Sequence, residues 1–219
     1  MTFVLIPGAG GSAWYWHRVV DDLTRRGYEA IAVDLPAEDD AAGFEEYADA
    51  VVAAIAGRRR VVLGAASLGG FTAQLVCERV PVAGVVLVNA MVPRPGETAG
   101  EWWENTGSGA ARRANEASAG RDPETEFDLL TAFMHDVPAE DVAAAPAHSH
   151  QQSDTPFARP WSEHGWPDIP TEVVVGRDDR MFPAAFQIEV ARDRLGIEPV
   201  VIRGGHLVSL SNPGQWDRC

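Results

Sequence analysis

Three residues at the ends of predicted strands have the types needed for nucleophilic catalysis: Ser67, Asp179 and His206. A serine hydroxyl is a weak nucleophile, so it needs a base to take its proton. Histidine can act as that base, and a carboxylate can fix the tautomer of the histidine and stabilise its charged form. Asp178 precedes Asp179 and is the alternative for this carboxylate. The set predicts attack by a serine on an acyl carbonyl.

The surroundings of Ser67 predict a sharp turn between a strand and a helix. Residues 61–63 form the apolar run Val-Val-Leu, typical of a buried parallel strand, and a helical pattern follows the serine. Such a turn crowds the residues two positions before and after the serine. Here these are Ala65 and Gly69, and both are small. Ser67 is therefore expected above the edge of a sheet, where its hydroxyl can reach a substrate.

The order of the predicted elements supplies a scaffold for these residues. Helical patterns alternate with strands up to residue 90, and the strands are predicted at residues 3–6, 29–33, 61–63, 82–89, 171–176 and 199–202. This alternation predicts an α/β fold, a doubly wound and mainly parallel sheet with helices on both faces. In such sheets the functional groups come from loops at the carboxyl ends of strands, where all three candidates fall.

The alternation breaks between residues 91 and 168. This segment is rich in Ala, Gly, Ser, Glu and Trp, has no clear strand, and has two plausible helices at residues 124–134 and 139–144. A long insertion between strands of such a sheet usually covers the site. We therefore predict a core of residues 1–90 and 169–219 and a short, mostly helical and loop cap of residues 91–168.

The cap contains aromatic residues that could line a substrate pocket. Trp102, Trp103 and Trp161 are the candidates for its wall, although the same residues could form a small core of the cap. Ser12, in the loop after the first strand, could add a hydrogen bond to a substrate. A short and aromatic cap favours a small, largely apolar ligand.

These motifs resemble the α/β-hydrolase superfamily. Residues 65–69 read Ala-Ala-Ser-Leu-Gly, close to the G-x-S-x-G nucleophile elbow, with alanine in place of the first glycine. The serine, the aspartate and the histidine follow each other in the chain order of that superfamily. Residues 176–187 and 204–213 are similar to the acid and histidine segments of its plant hydroxynitrile lyase and methylesterase branch. The resemblance covers nearly the whole chain outside the cap.

The resemblance implies a role for each of these residues. Ser67 is expected as the nucleophile, His206 as the base and Asp179 as its partner. The backbone N–H groups of Leu68 and Ala9 are expected to form the oxyanion hole, which stabilises the developing negative charge. Relatives usually have His-Gly in the loop that carries Ala9, whereas this chain has Pro-Gly there. This chemistry requires no metal and no cofactor.

Other reactions remain open on the same fold. Hydroxynitrile lyases have a lysine directly after the catalytic histidine, whereas this chain has Leu207, so the resemblance favours an ester hydrolase over a lyase. C–C bond cleavage by the same triad stays an alternative. All 18 basic residues are arginine, which excludes any mechanism that requires a catalytic lysine.

Two alternatives belong to other classes of protein. Residues 8–13 fit the G-x-G-x-x-A pattern of dinucleotide-binding proteins, and Asp34 ends the next strand about where a ribose-binding acid would lie. Against this reading, residues 14–16 are Trp-Tyr-Trp, which is bulky where a helix should approach a pyrophosphate closely. The other alternative is a non-catalytic small-molecule receptor on the same scaffold, since a fold does not determine a function.

Composition and charge limit the partners. The 219-residue chain has a net charge of −14 at pH 7, which argues against nucleic acid and anionic membranes as partners. No stretch approaches the ~20 apolar residues of a membrane helix. The histidines of the run His-Ser-His at residues 148–150 have no third ligand nearby, so we expect no metal site. The expected partner is a small-molecule substrate, and the sequence does not predict the oligomeric state.

The cysteines and the first residues bear on the location of the protein. Cys77 and Cys219 provide no disulfide framework. The N-terminal residues have no basic region and only a short apolar run, unlike a signal peptide. We therefore expect a cytoplasmic protein.

Overall fold

A parallel sheet organises the protein in a computed structural model, which describes residues 1–124, 128–162 and 164–218. Within those residues the sheet has six strands, namely β1 (Thr2–Ile6), β2 (Glu29–Ala32), β3 (Val61–Ala66), β4 (Gly84–Val88), β5 (Thr171–Gly176) and β6 (Val200–Ile202). All neighbouring strands are parallel, and their order is β2-β1-β3-β4-β5-β6. The doubly wound, mainly parallel sheet predicted from the sequence is confirmed.

The central strands are apolar because both faces of the sheet are covered. All five residues of β1 and all five of β4 are buried, as is typical of strands in a parallel sheet. The strand order reverses at β1 and β3, which lie side by side with Leu5 opposite Gly64. Ligands of open α/β sheets bind outside the carboxyl ends of strands at such a reversal. The loop after β1 and the turn after β3 meet there.

Helices connect the strands and cover the sheet. The described residues form α1 (His17–Arg25), α2 (Phe44–Ile55), α3 (Gly69–Arg79), α4 (Ala99–Thr106), α5 (Ser108–Ser118), α6 (Leu129–Phe133), α7 (Ala139–Ala144), α8 (Thr155–Ala158), α9 (Ala184–Leu195) and α10 (Val208–Ser211). Tyr47, Val51 and Ile55 recur every four residues and lie on the buried face of α2. Among the helices that the structure describes, none is long and apolar enough to cross a bilayer.

The segment between β4 and β5 is helical. Helix α7 has the bounds predicted at residues 139–144. Helix α6 is shorter than the helix predicted at residues 124–134, of which residues 125–127 lie outside the described residues. Helices α4 and α5 lie where the sequence analysis predicts no helix.

A capping box shows why α4 forms. Thr98 Oγ1 accepts a hydrogen bond from Glu101 N (3.0 Å), and Glu101 Oε2 accepts one from Thr98 N (2.9 Å). The pattern T-x-x-E is a known helix start, because it satisfies two backbone donors that the first turn leaves unpaired. Gly107, with φ at +70°, then ends the helix.

This segment packs into the core of the sheet. Trp102 (1% exposed) contacts Phe186 edge to face at 5.8 Å, and Trp161 (4% exposed) contacts Phe71 in the same way at 5.9 Å. Both tryptophans belong to the cluster of buried residues that also contains the sheet residues Val4 and Leu63. The division at residues 91–168 stays a prediction, and the insertion shares its core with the rest of the chain.

Candidate active site

Ser67 lies in the tight turn between β3 and α3. Its φ of +51° is in the left-handed region, which is uncommon for a residue other than glycine and costs about 1–3 kcal/mol. Ser67 N donates a hydrogen bond to Val88 O (3.3 Å), and Ser67 O accepts one from Met91 N (2.9 Å). These bonds hold the strained turn, which is the conformation that the sequence predicts for an exposed nucleophile.

Small residues make room for this turn. A Cβ atom on Gly69 would lie 2.6 Å from Pro7 O, and one on Gly8 would lie 2.9 Å from Ser67 Cβ. Larger residues at either position would displace the serine or the loop after β1. Ala65, where the hydrolase pattern has glycine, is fully buried within β3, so the sheet accommodates its methyl group.

His206 and Asp179 form a buried pair. His206 Nδ1 lies 2.8 Å from Asp179 Oδ2, and the two residues are 5% and 2% exposed. A carboxylate can only accept, so Nδ1 carries the hydrogen and Nε2 is the acceptor in the neutral ring. Asp179 Oδ1 accepts hydrogen bonds from Met181 N (2.8 Å) and Phe182 N (2.9 Å), which fix the carboxylate. This arrangement selects the tautomer that a general base requires.

The carboxylate of Asp178 does not contact His206, although the residue is adjacent to Asp179, and its Oδ2 instead accepts a hydrogen bond from Gly204 N (3.3 Å). Its carboxylate is exposed and pairs with the guanidinium of Arg177 at 3.0 Å for both oxygens. These hydrogen bonds lower the pKa of Asp178. The structure therefore brings Asp179, and not Asp178, to His206.

His206 Nε2 is buried, and no polar group in the described part of the chain bonds to it. Ser67 and His206 both line one cavity. Among the described residues, Ser67 Oγ and His206 Nε2 form no direct hydrogen bond, and catalytic hydrogen bonds often tighten only when substrate binds. The acceptor nitrogen is thus available for the proton of a nucleophile in this cavity.

Two polar residues that the sequence analysis does not single out hold the loop before His206. Asn89, 1% exposed at the end of β4, donates from Nδ2 to the main-chain oxygens of His206 (2.9 Å) and Gly205 (3.0 Å). Asp136 Oδ2 accepts a hydrogen bond from Gly205 N (2.6 Å). A buried asparagine at the carboxyl end of a strand is a signal that could have identified the first of these residues.

The backbone N–H groups of Ala9 and Leu68 belong to residues that line the same cavity. Gly10 N and Gly11 N, in the loop of Ala9, donate to Gln152 Oε1 (3.0 Å) and Gly8 O (3.1 Å). Among the described residues, no group accepts a hydrogen bond from the backbone N–H of Ala9 or of Leu68. An oxyanion hole requires donors that no other group occupies, so this observation is compatible with the role expected for the two N–H groups.

The cavity has a volume of about 250 Å³, and its walls are mainly apolar. It lies over Ser67 and His206, and its side walls come from Trp16, Met91, Trp103, Leu129, Phe133, Met134, Phe157, Met181 and Leu207. Phe133 and Phe182 contact the ring of His206 edge to face at 4.7 and 5.1 Å. A small apolar group fits this space better than a charged one.

The structure separates the predicted pocket residues. Trp103 lines the cavity, whereas Trp102 and Trp161 lie in the core and donate from Nε1 to Val92 O (3.0 Å) and Phe71 O (2.9 Å). Ser12 is also buried away from the cavity. Its Oγ accepts a hydrogen bond from Trp14 N (3.3 Å) and caps the 3₁₀ helix Ala13–Trp16. These three residues have structural positions because their polar atoms are already paired inside the protein.

The loop after β1 does not have the geometry of a dinucleotide site. The strand order β2-β1-β3-β4 differs from the 3-2-1-4-5-6 order of dinucleotide-binding folds. Asp34 Oδ1, the candidate ribose ligand, accepts a hydrogen bond from Ala13 N (2.8 Å). The glycines of the loop instead allow its close approach to Ser67.

No group of three or more His, Cys, Asp or Glu residues that could hold a metal ion occurs in the described part of the chain. His148, one of the pair considered in the sequence, stacks on Trp14 with ring centroids 4.9 Å apart. Its position is that of an exposed aromatic contact.

The sheet order, the strained serine and the buried histidine–aspartate pair define an α/β-hydrolase type of protein. The model of the alpha/beta hydrolase family matches residues 3–216. The chain therefore belongs to the alpha/beta hydrolase family, which confirms the resemblance of its motifs.

Similar proteins include plant enzymes. The probable esterase PIR7A of Oryza sativa subsp. indica is 40% identical over 111 residues, which cover 45% of this chain and 42% of that esterase. The match thus spans less than half the length of this relative. Norfluorocurarine synthase 1 of a Strychnos species is 24% identical over 246 residues, covering 99% of this chain and 92% of the synthase. The crystal structure of polyneuridine aldehyde esterase has a TM-score of 0.79 at 21% identity, covering 100% of this chain and 96% of that one, and it shows the fold alone.

Proposed function

We propose that the protein is a serine hydrolase that cleaves a small, largely apolar carboxylic ester. The observation that carries the proposal is the buried bond of 2.8 Å between His206 Nδ1 and Asp179 Oδ2. It leaves Nε2 of the histidine as a proton acceptor in the cavity that Ser67 lines. The relative named as a probable esterase supports the same class of reaction.

The first half of the proposed reaction forms an acyl-enzyme. Ser67 Oγ attacks the ester carbonyl carbon while its proton passes to His206 Nε2, and Asp179 stabilises the imidazolium that forms. The electrons of the C=O bond move to the oxygen, which accepts hydrogen bonds from the N–H groups of Ala9 and Leu68. Collapse of this intermediate breaks the bond to the alcohol, which leaves with the proton from His206.

The second half releases the acid. His206 Nε2 takes a proton from a water molecule while the oxygen of that water adds to the acyl carbon. The tetrahedral intermediate then expels Ser67 Oγ, which regains its proton from the histidine. The proposed reaction requires no metal and no nucleotide, and the partner of the enzyme is its small-molecule substrate. The proposed location is the cytoplasm.

The substrate class follows from the cavity. A volume of about 250 Å³ with mainly apolar walls favours a small ester without charged groups near the reacting bond. Trp103, Leu129 and Phe133 are side chains against which an acyl or alkyl group would pack. Leu207 also lines the cavity where the lyase branch has its lysine, which supports hydrolysis over cyanohydrin cleavage.

A fluorophosphonate probe tests whether Ser67 is the nucleophile. Attack by its Oγ on phosphorus releases fluoride and adds the phosphonyl group, which intact-protein mass detects. We expect one adduct on the wild-type protein, none on Ser67→Ala, and one on Ser118→Ala, which changes an exposed serine of α5. Absence of an adduct on the wild-type protein would instead favour the receptor alternative. If the adduct forms, assays with cyanohydrins beside esters distinguish C–C cleavage from ester hydrolysis.

A further inference from the structure

A side chain from the insertion holds the loop after β1. Gln152, which precedes α8, accepts a hydrogen bond through Oε1 from Gly10 N at 3.0 Å, across 142 positions of sequence. Gly10 also lies close to this segment, because a Cβ atom on it would be 3.0 Å from His150 O. The segment between α7 and α8 thus packs directly on Gly10, the residue that follows Ala9.

The hydrogen bonds of Gln152 determine how its amide is oriented. Nε2 donates to Ser153 O (3.0 Å) and to Tyr47 Oη (2.9 Å). A carbonyl oxygen can only accept, so the nitrogen must face Ser153 O. The reversed amide would set its N–H₂ group against Gly10 N–H and its oxygen against a carbonyl. Oε1 is therefore the atom that faces Gly10.

The amide is in turn anchored to the core. Tyr47 is 2% exposed on the buried face of α2. Ser153 N donates to Ala37 O (2.8 Å), which holds the segment of Gln152 against the loop after β2. A connection of hydrogen bonds thus runs from a core tyrosine through Gln152 to Gly10.

Backbone hydrogen bonds hold Gly11 of this loop, but the loop has no polar side chain of its own. Residues 7–11 read Pro-Gly-Ala-Gly-Gly, so they have no polar side chain. Gly10 and Gly11 have φ values of +83° and +66°. Glycine adopts positive and negative φ about equally readily, so its own backbone preference does not fix this conformation. Any side-chain restraint on Ala9 must therefore come from another part of the chain.

We propose that Gln152 is a positioning residue that aims the N–H of Ala9 at the oxyanion. This inference rests on the proposed function and adds a role for the insertion within the catalytic machinery. By taking the N–H of Gly10, Gln152 fixes the peptide that follows Ala9 and leaves the N–H of Ala9 directed at the cavity. A donor stabilises the oxyanion only within about 2.7–3.1 Å, so a small displacement of the loop weakens the transition state more than the bound substrate.

The test compares ligands that do and do not develop an oxyanion. Ser67 Oγ adds to the carbonyl carbon of a trifluoromethyl ketone. The proton of the serine goes to His206 Nε2, and the carbonyl oxygen becomes an oxyanion. The matching methyl ketone binds mainly as the unreacted carbonyl. Inhibition constants for both, kcat and KM for an ester that the wild-type protein turns over, and the melting temperature are measured for each variant.

For Gln152→Leu we expect kcat and the affinity for the trifluoromethyl ketone to fall together by about 10- to 100-fold, less than the 10²–10³ of a deleted donor. KM and the affinity for the methyl ketone should change less than about threefold, because ground-state binding does not use this donor. Gln152→Glu keeps an acceptor for Gly10 N and should recover part of kcat. Gln151→Leu, the exposed neighbour, is the matched control and should behave as wild type.

Two results would overturn the inference. One is a Gln152→Leu variant with wild-type kcat. The other is an equal loss of affinity for both ketones, which would indicate that Gln152 shapes the wall of the cavity and does not position a donor. Should Gln152→Leu fail to fold, Gln152→Met keeps the side-chain length and is measured in the same way. An inactive wild-type protein would instead refute the proposed function itself, and this inference with it.

Discussion

Asn89 and His206 are joined by a hydrogen bond of 2.9 Å from Asn89 Nδ2 to the main-chain oxygen of the histidine. The same asparagine accepts a hydrogen bond through Oδ1 from Gly176 N (2.7 Å), at the end of β5. One buried amide thus connects β4, the strand that precedes Asp179, and the loop of His206. Asn89 has φ at +46°, a region that asparagine tolerates better than most residues.

Replacing Asn89 should therefore affect both stability and turnover. Asn89→Ala leaves Gly176 N and two main-chain oxygens without a buried partner, and each loss costs roughly 1–3 kcal/mol. We expect the free energy of unfolding to fall by at least about 2 kcal/mol and kcat to fall more than KM changes. Urea unfolding and steady-state kinetics measure the two effects. Asn115→Ala on α5 is the control, and equal behaviour of the two variants would contradict this role.

The adjacent aspartates should differ sharply in their effect on catalysis. Asp179→Asn replaces an acceptor of His206 Nδ1–H with an amide that can stabilise the wrong tautomer, so we expect kcat to fall about 10³- to 10⁴-fold. Asp178→Asn removes the charge from an exposed pair with Arg177 but keeps an oxygen that can accept from Gly204 N, so it should change kcat less than about twofold. Single-turnover ester hydrolysis distinguishes them. A larger effect at Asp178 would move the carboxylate role by one residue.

The two neighbouring tryptophans of α4 should also behave differently. Trp102 is buried against Phe182 and Phe186, so Trp102→Ala should lower the free energy of unfolding by about 3–5 kcal/mol. Trp103 lines the cavity, so Trp103→Ala should mainly change the relative kcat/KM of short and long acyl esters. Denaturant unfolding and a series of esters test both. If Trp103→Ala left the acyl preference unchanged, the proposed packing surface would be wrong.

A buried ion pair should make stability depend on pH. Glu97 and Arg194 have side chains 4% and 2% exposed and are joined by two hydrogen bonds of 2.5 and 3.0 Å. Burial alone would raise the pKa of Glu97, but the hydrogen bonds from Arg194, Asn105 and Arg94 N outweigh it and lower the pKa.

Because the pKa of Glu97 is lower in the folded protein than in the unfolded chain, its ionised form contributes stability above about pH 4.3, the ordinary value for the unfolded chain. That contribution should be lost as the pH falls through the folded value. At pH 7, Glu97→Gln should cost about 3–5 kcal/mol, since it leaves Arg194 buried without its counter-ion. The difference from wild type should shrink on acidification.

Glu198→Gln is the matched control for this pair. Glu198 forms a similar two-bonded pair with Arg192, but both side chains are more than half exposed. We expect a change below about 1 kcal/mol at any pH. Unfolding midpoints between pH 3 and 8 measure both variants, and a Glu97→Gln effect independent of pH would contradict the assignment of the lowered pKa.

Local patterns in the sequence were sufficient for much of the fold. Apolar runs predict the buried strands, and the small residues around Ser67 predict the turn, because both depend on neighbours within a few positions. The apolar patterns do not predict helices α4 and α5, although the T-x-x-E motif of Thr98 and Glu101 is present in the sequence. The roles of Trp102 and Trp161 were not readable, since their partners Phe186 and Phe71 lie 84 and 90 positions away.

The sequence by itself determined the α/β class, the order of the serine, the aspartate and the histidine, and their places at strand ends. Tertiary structure decided which of the two aspartates meets His206, because a strand end directs successive side chains differently. It also decided that Ser12 caps a 3₁₀ helix, that Asn89 holds the loop of His206, and that Gln152 holds the loop of Ala9. Those contacts span as many as 142 positions, and only packing of the whole chain specifies them, because short-range periodicity carries no information about distant partners.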